Sequence, residues 1–396
     1  MEILLQESIS RLEALSERVT RDLAGLTDLL LAVETRSTAV TELAWLSAAL
    51  SPTPAALDWL RGRSGVGTVY AAPPATLPMY SMFLFAVAPA LAGNRVVVRP
   101  SSVSRSSATA LAAHAVAAGI PLELSTSRWD DFARDAVDEA QAVIYCGSRA
   151  HARTLDEQLP PHIRLLCQGP GVCAMVVTPG ADLHRAAVTA VRTRMFNNAQ
   201  DCLATERLYV SAEVYEPFLA ELLSLAGRVR VGDNRDPDTD SGRLLLPDAA
   251  TPWFSDLSAH GTVHRGAGEV ALPDGCYDLV VLEADADSPV VLEETYCPVL
   301  PVVAYRGDRE LREMLELGDY ALGLTVFGSM PVFGPLDFCH VAVNAGLYEH
   351  EDGWSPFGGH RSTTLLRQGS TRRTGPVLVP FAMSEPMGLD ARRSAS

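Results

Sequence analysis

The stretch FNNAQDCLATERLYV, residues 196–210, sets one cysteine, Cys202, behind two asparagines and a glutamine and ahead of the strand-forming run Leu208-Tyr209-Val210. Cysteine is usually a core residue, so one in a polar turn that leads into a strand invites a chemical reading. An accessible sulfur there can ionise and attack a carbonyl carbon. Taken alone, Cys202 fits a packed structural thiol as well as a nucleophile. The other six cysteines (Cys146, Cys167, Cys173, Cys276, Cys297 and Cys339) are scattered and form no CxxC pair. That pattern reads as reduced thiols rather than a disulfide framework or a zinc site. His151 and His340 have no partner at ligand spacing, so no metal is expected.

A nucleophile in a turn needs a scaffold on both sides of it. Residues 1–62 read as helix, with Leu4, Leu5, Ile9, Leu12, Leu15, Val19 and Leu23 at three- and four-residue spacing. From Val66 strands and helices alternate. VGTVYAAP is a strand and PPATLP a turn, and MYSMFLFAVAPALAGN is a helix stopping at Gly93-Asn94. RVVVRPSS is a strand, SRSSATALAAHAVAAG a helix stopping at Gly119, AQAVIYCGS a strand and RAHARTLDEQL a helix. A second series starts at CAMVV (173–177) and continues through a helix at 181–196, the Cys202 turn, ERLYV, VYEPFLAELLSLAG, YDLVVLEA and VLPVVAY. PDTDSG, HRGAGEV and LPDG read as loops, and DARRSAS as a frayed tail. Such alternation predicts doubly wound parallel sheets, which bind ligands at the C-terminal ends of their strands.

Composition narrows the chemistry. The 396 residues allow two or three domains, and a net charge of −16 argues against nucleic acid or an anionic membrane as partner. All 32 basic residues are arginine, which removes any internal lysine Schiff base or lysine phosphate loop. MEILLQESIS is not a secretory signal and no run approaches eighteen apolar residues, so a cytoplasmic protein is expected.

Six motifs, in order from about Val66 to about Gly369, resemble the aldehyde dehydrogenase superfamily. FNNAQDCLATERLYV is similar to its nucleophile segment, which implies that Cys202 is the catalytic cysteine. VIYCGSRAHA resembles its glycine-serine turn and implies that Gly147 and Ser148 meet the cofactor pyrophosphate at a helix N-terminus. AGNRVVVRPSS resembles its adenosine-ribose segment, with Arg99 for the usual lysine and Ser102 for the usual glutamate. LEETYCPVLPVVAY carries the glutamate of the nicotinamide ribose at Glu294, followed by the aromatic Tyr296. SPFGGHR matches its Pro356–Gly359 turn. PPATLP occupies the segment of the oxyanion asparagine, with Thr76 in its place. The resemblance implies an aldehyde dehydrogenase-like α/β fold of two doubly wound parallel-sheet domains. Its parts would be an N-terminal helical segment (1–62), a Rossmann-like cofactor domain (63–172), a catalytic domain (173–355) and a C-terminal return segment (356–396). It also implies an oxidoreductase that uses NADP or NAD.

Departures from that pattern shape the expected reaction. CQGPG stands where the family reads glutamate-leucine-glycine-glycine, so Cys167 takes the place of the water-activating glutamate, and Gln368 replaces a second glutamate. Branches that pass the acyl group to coenzyme A share this loss and carry glycine-proline-glycine segments like Gly169-Pro170-Gly171. The first reading is therefore an enzyme interconverting an aldehyde and an acyl-thioester, with coenzyme A or a carrier-protein thiol as acyl partner. The alternatives are hydrolytic oxidation to a carboxylic acid and a degenerate cofactor-binding protein. Cys167 also reads as a packed thiol or a disulfide partner of Cys202. With Ser102 uncharged, Arg99 together with Arg105 or Arg149 would favour the 2′-phosphate of NADP. Met79, Phe83, Met195, Phe196 and Trp354 are candidates for an apolar substrate wall or for core. A homodimer is expected, with TGPVLVPF (374–381) as a strand pairing across the subunits.

Overall fold

Runs of β-branched residues build two seven-stranded sheets in the computed structural model, which describes residues 2–265, 272, 274–331 and 336–387. The first sheet runs, edge to edge, Leu122–Leu124, Arg95–Val98, Thr68–Ala72, Ala142–Cys146, Arg164–Gln168, Thr364–Gln368 and Thr371–Arg373. Its first five strands are parallel, and the last two are an antiparallel hairpin returning from the C-terminal part of the chain. The second runs Thr262–Arg265, Val280–Glu283, Val299–Tyr305, Thr205–Ser211, Cys173–Val177, Gly323–Phe327 and His340–Val343. It is parallel apart from its Thr262–Arg265 edge.

Parallel neighbours need long crossovers, and here these are helices that bury both faces of each sheet. On the first sheet, period-two alternation sends Val96, Val98, Ile144 and Leu166 to the N-terminal helices Glu2–Arg21, Leu23–Leu30 and Arg36–Ala49. Val97, Val143, Leu165 and Cys167 face Phe132 and Leu155 on the opposite side. The second sheet has a core on each face in the same way. Among the described residues no helix is long and apolar enough to cross a membrane.

Three readings change. Leu122–Leu124 and Trp129–Glu139 are a strand and a helix where no element was expected. The segment 374–381 is not a strand: Val377 makes a single bridge to Phe357 and the chain then turns helical over Val379–Ala382. Pro376 and Pro380 lack the N–H that a ladder requires. Ser384–Pro386 pairs instead with Arg63–Gly65, tying the C-terminal part of the chain to the start of the first sheet. HRGAGEV beyond Arg265 and the DARRSAS tail lie outside the described residues.

Candidate active site

The helix Leu183–Met195 delivers the chain to the Cys202 turn. Asn197, Asn198 and Ala199 follow with φ of 51°, 57° and 63°, three left-handed residues in succession. Asparagine tolerates that region better than most residues. The polar side chains that marked the segment are its pegs. The Asn197 amide donates to the Gln200 carbonyl at 3.1 Å, and the Asn198 amide to the Arg243 carbonyl at 3.1 Å. Gln200 accepts from the N–H of Leu245 at 2.7 Å and of Leu246 at 3.0 Å, and donates to the Tyr296 carbonyl at 3.1 Å. A Cβ on Gly171 would collide with the Cys202 carbonyl, so only glycine lets these two segments meet.

Cys202 lines a cavity of about 1130 Å³ between the C-terminal ends of the two sheets. It is half-buried rather than open. Burial, then the nearby carboxyls of Asp201, Glu294 and Glu351, push its thiol well above the usual range. The carboxyls shift too. Burial raises Glu294 to about 8, against the Gly171 N–H that donates to it at 2.8 Å. Burial raises Glu351 to about 7, with the Tyr80 hydroxyl donating at 2.8 Å. Asp201 is raised by burial while accepting from the Leu203 N–H at 2.8 Å and the Tyr348 hydroxyl at 2.9 Å. The polar turn therefore holds a protonated thiol in the free protein, not the open thiolate expected from its sequence.

Thr76 and Tyr296 also line the cavity, their hydroxyls 3.2 Å apart. Behind the 294–297 segment lies a fully buried ion pair, Arg194–Glu206 at 2.6 Å. Arg194 donates to Thr295 Oγ1 at 2.6 Å and to the Cys297 carbonyl, while Glu206 accepts from the Thr295 N–H at 3.1 Å. Nothing in the sequence pairs these two residues. Glu294 is turned inward onto Gly171.

The cavity continues to the strand ends of the first sheet. Gly147 and Ser148 are exposed there, and Ser148 caps the helix Arg149–Gln158, accepting from the His151 N–H at 3.4 Å. Arg99 and Ser102 line the same end. The Arg99 Nε donates to the Ser127 carbonyl at 3.0 Å, and the Arg105 charge helps burial to lower its pKa. A guanidinium at the cavity edge, with a second one near enough to repel it, suits an anion. Arg149 is taken up by Asp319.

Cys167 is not brought to the site. Alternation along Arg164–Gln168 turns its thiol into the outer core beside Leu165, and leaves Gln168 on the cavity side. The Gln168 amide is held by the Thr364 hydroxyl, which donates to it at 2.7 Å. Burial raises the Cys167 thiol to about 12, and it forms no disulfide. For most of the candidate wall residues the core reading holds. Met79, Phe83, Met195 and Trp354 are core, and Phe196 stacks behind the wall on Trp45 and Tyr348. Trp45, Tyr80, Tyr348 and Phe357 are among the rings that line the cavity. Trp45 comes from the N-terminal helices, so only the tertiary fold could place it there.

Together these groups set a thiol, two hydroxyls and several high-pKa carboxyls at one end, and an arginine- and hydroxyl-lined groove on a helix N-terminus at the other. The family model described as "Aldehyde dehydrogenase family" matches residues 5–374. Glutarate-semialdehyde dehydrogenase of Pseudomonas putida is 25% identical over 320 residues, covering 77% of this chain and 66% of that protein. Succinate-semialdehyde dehydrogenase [NADP(+)] 1 of Mycobacterium ulcerans is 28% identical over 274 residues, covering 65% of this chain and 58% of that protein. The chain thus spans about two thirds or less of these two relatives. Succinic semialdehyde dehydrogenase from Streptococcus pyogenes, solved with NADP+, superposes with a TM-score of 0.85 at 18% identity, over 96% of this chain and 89% of that one.

Proposed function

The chain belongs to the aldehyde dehydrogenase family, and from that premise we propose that it is an NADP-dependent oxidoreductase that oxidises an aldehyde at Cys202. One observation carries the reading: Cys202 shares its cavity with Thr76 and Tyr296 on one side and with Arg99, Ser102 and Ser148 on the other. NADP, when bound, would supply the hydride acceptor, and the groove residues suit it. Arg99 would meet the 2′-phosphate, Ser148 and the helix start the pyrophosphate, and Glu294 the nicotinamide ribose. Cys202 attacks the aldehyde carbon, and the oxyanion is met by its own N–H with the Thr76 and Tyr296 hydroxyls nearby. Glu351, raised to about 7, is half-ionised near neutral pH and is poised to take a proton from the thiol or from water, and Glu294, raised to about 8, joins it only at alkaline pH. They supply what the missing glutamate left open, and with the semialdehyde dehydrogenase relatives they favour release of the acyl group to water. One observation favours a thiol acceptor instead: the residue that the strand Arg164–Gln168 presents to the cavity is an amide, Gln168. The chain would act as a homodimer, and its exposed edge strand Thr371–Arg373 offers a pairing surface.

The deciding experiment follows NADPH formation on mixing enzyme, NADP and aldehyde. A steady rate without a burst, indifferent to added coenzyme A and abolished in Cys202→Ser with NADP binding retained, is the expected result. A burst followed by a slow phase that coenzyme A accelerates would move the assignment to the thioester reaction. Turnover surviving in Cys202→Ser would remove the covalent mechanism.

A further inference from the structure

The part of the cavity wall that holds Tyr80 carries ionisable side chains of one kind, carboxyls. Trp45, Tyr80 and Tyr348 line the cavity with Cys202, the Trp45 ring lying 5.8 Å from Tyr80 and 5.9 Å from Tyr348, centroid to centroid. Each tyrosine hydroxyl is spent on a carboxyl, Tyr80 on Glu351 at 2.8 Å and Tyr348 on Asp201 at 2.9 Å. A ligand therefore meets ring faces and the remaining carboxyl oxygens rather than phenol donors. No cation balances them. The chain has no lysine, and among the described residues the arginines lining the cavity are Arg99 and Arg149. Both stand with the serine turns, Arg149 bound to Asp319 and Arg99 to the Ser127 carbonyl beside the Trp129 ring.

We propose that the aldehyde taken at this site carries an ammonium group, held by the Glu351 carboxylate among the rings of Trp45, Tyr80 and Tyr348. Aromatic faces attract cations through their quadrupole, and a partly desolvated carboxylate adds a charge-assisted contact. The same wall opposes a carboxylate tail such as a semialdehyde's, which would set an anion against the Glu351 and Asp201 carboxyls, hold them further from ionising, and meet no cation. An ammonium beside Glu351 also favours that carboxyl's ionised form and offsets the field that keeps the Cys202 thiol protonated. Substrate charge would thus assist the nucleophile. The inference rests on the Cys202 chemistry above and names its substrate class.

The test compares kcat/KM for 3-aminopropanal, its neutral isostere butanal, and succinic semialdehyde. 3-Aminopropanal is expected to exceed butanal by about tenfold or more, with succinic semialdehyde lowest. Glu351→Gln should cut the 3-aminopropanal to butanal ratio by about ten- to a hundredfold, and Glu351→Asp should keep part of it. Equal or better turnover of butanal or succinic semialdehyde, or an equal loss for both aldehydes in Glu351→Gln, would overturn the proposal. Should no aldehyde be oxidised, the proposed activity fails and calorimetric binding still decides the charge question. Butylammonium binding above butanoate, and weakened in Glu351→Gln, supports the cationic site. Equal or reversed affinities reject it.

Discussion

At the scale of single residues, the Cys202 thiol is governed by burial first and then by the carboxyls around it. Cys202 sits among carboxyls that oppose its ionisation. Glu294, at about 8, is mostly neutral below pH 7 and mostly charged at pH 9. Glu294→Gln removes that charge, so Cys202 should react with iodoacetamide several-fold faster than wild type at pH 9 and nearly alike at pH 6.5. Mass-spectrometric rates for the Cys202 peptide provide the check. A variant that reacts no faster at pH 9 would show that burial alone sets this thiol. The wild-type rate at pH 7 should be slow, contrary to what an exposed polar turn suggests, because sulfur and carboxyls share one partly buried cavity.

At the scale of elements, the site is held by pegs between segments remote in sequence. The Arg194–Glu206 pair joins the end of the helix Leu183–Met195 to the strand Thr205–Ser211 and grips the 295–297 backbone between them. Removing one member leaves an uncompensated buried charge, which costs about 3–5 kcal/mol. Glu206→Ala should therefore lower stability by that amount in urea unfolding, and weaken cofactor binding through the displaced Glu294 and Tyr296. A loss below about 1 kcal/mol would mean that Arg194 finds another partner or water. Glu42, fully buried on the helix Arg36–Ala49, acts similarly, accepting from the N–H groups of Met79 at 2.7 Å and Tyr80 at 2.8 Å. It fixes the start of the helix that follows Thr76.

At the scale of the whole molecule, the buried carboxyls make stability depend on pH. Glu42 and Glu351 are raised to about 7 and Glu294 to about 8, against an ordinary 4.5. Between about pH 4.5 and 8 the folded chain keeps protons there that the unfolded chain releases, so stability falls as pH rises through that window. The lowered carboxyls Asp28 and Asp256 titrate below it. Calorimetry should give a lower Tm at pH 8.5 than at pH 5.5, and Glu42→Gln should reduce the difference. A Tm that climbs over this range would contradict the assignment of these carboxyls as neutral in the fold.

Local pattern determined much of this protein. Apolar alternation and glycine stops marked most strands and helices, since burial on both faces of a parallel sheet imposes those runs. The asparagine-rich turn marked Cys202, because left-handed backbone selects such residues. The parity of one strand was invisible locally. CQGPG reads equally well with Cys167 or Gln168 toward the cavity, and packing of Leu165 and Cys167 against the outer helices decided it. Trp45, Tyr80, Tyr348 and Glu351 come from segments up to about three hundred residues apart, and no spacing rule joins them. Their meeting, and with it the carboxyls gathered in the cavity wall and the state of the Cys202 thiol, follows from how the N-terminal helices and the 347–351 turn close over the ends of two sheets.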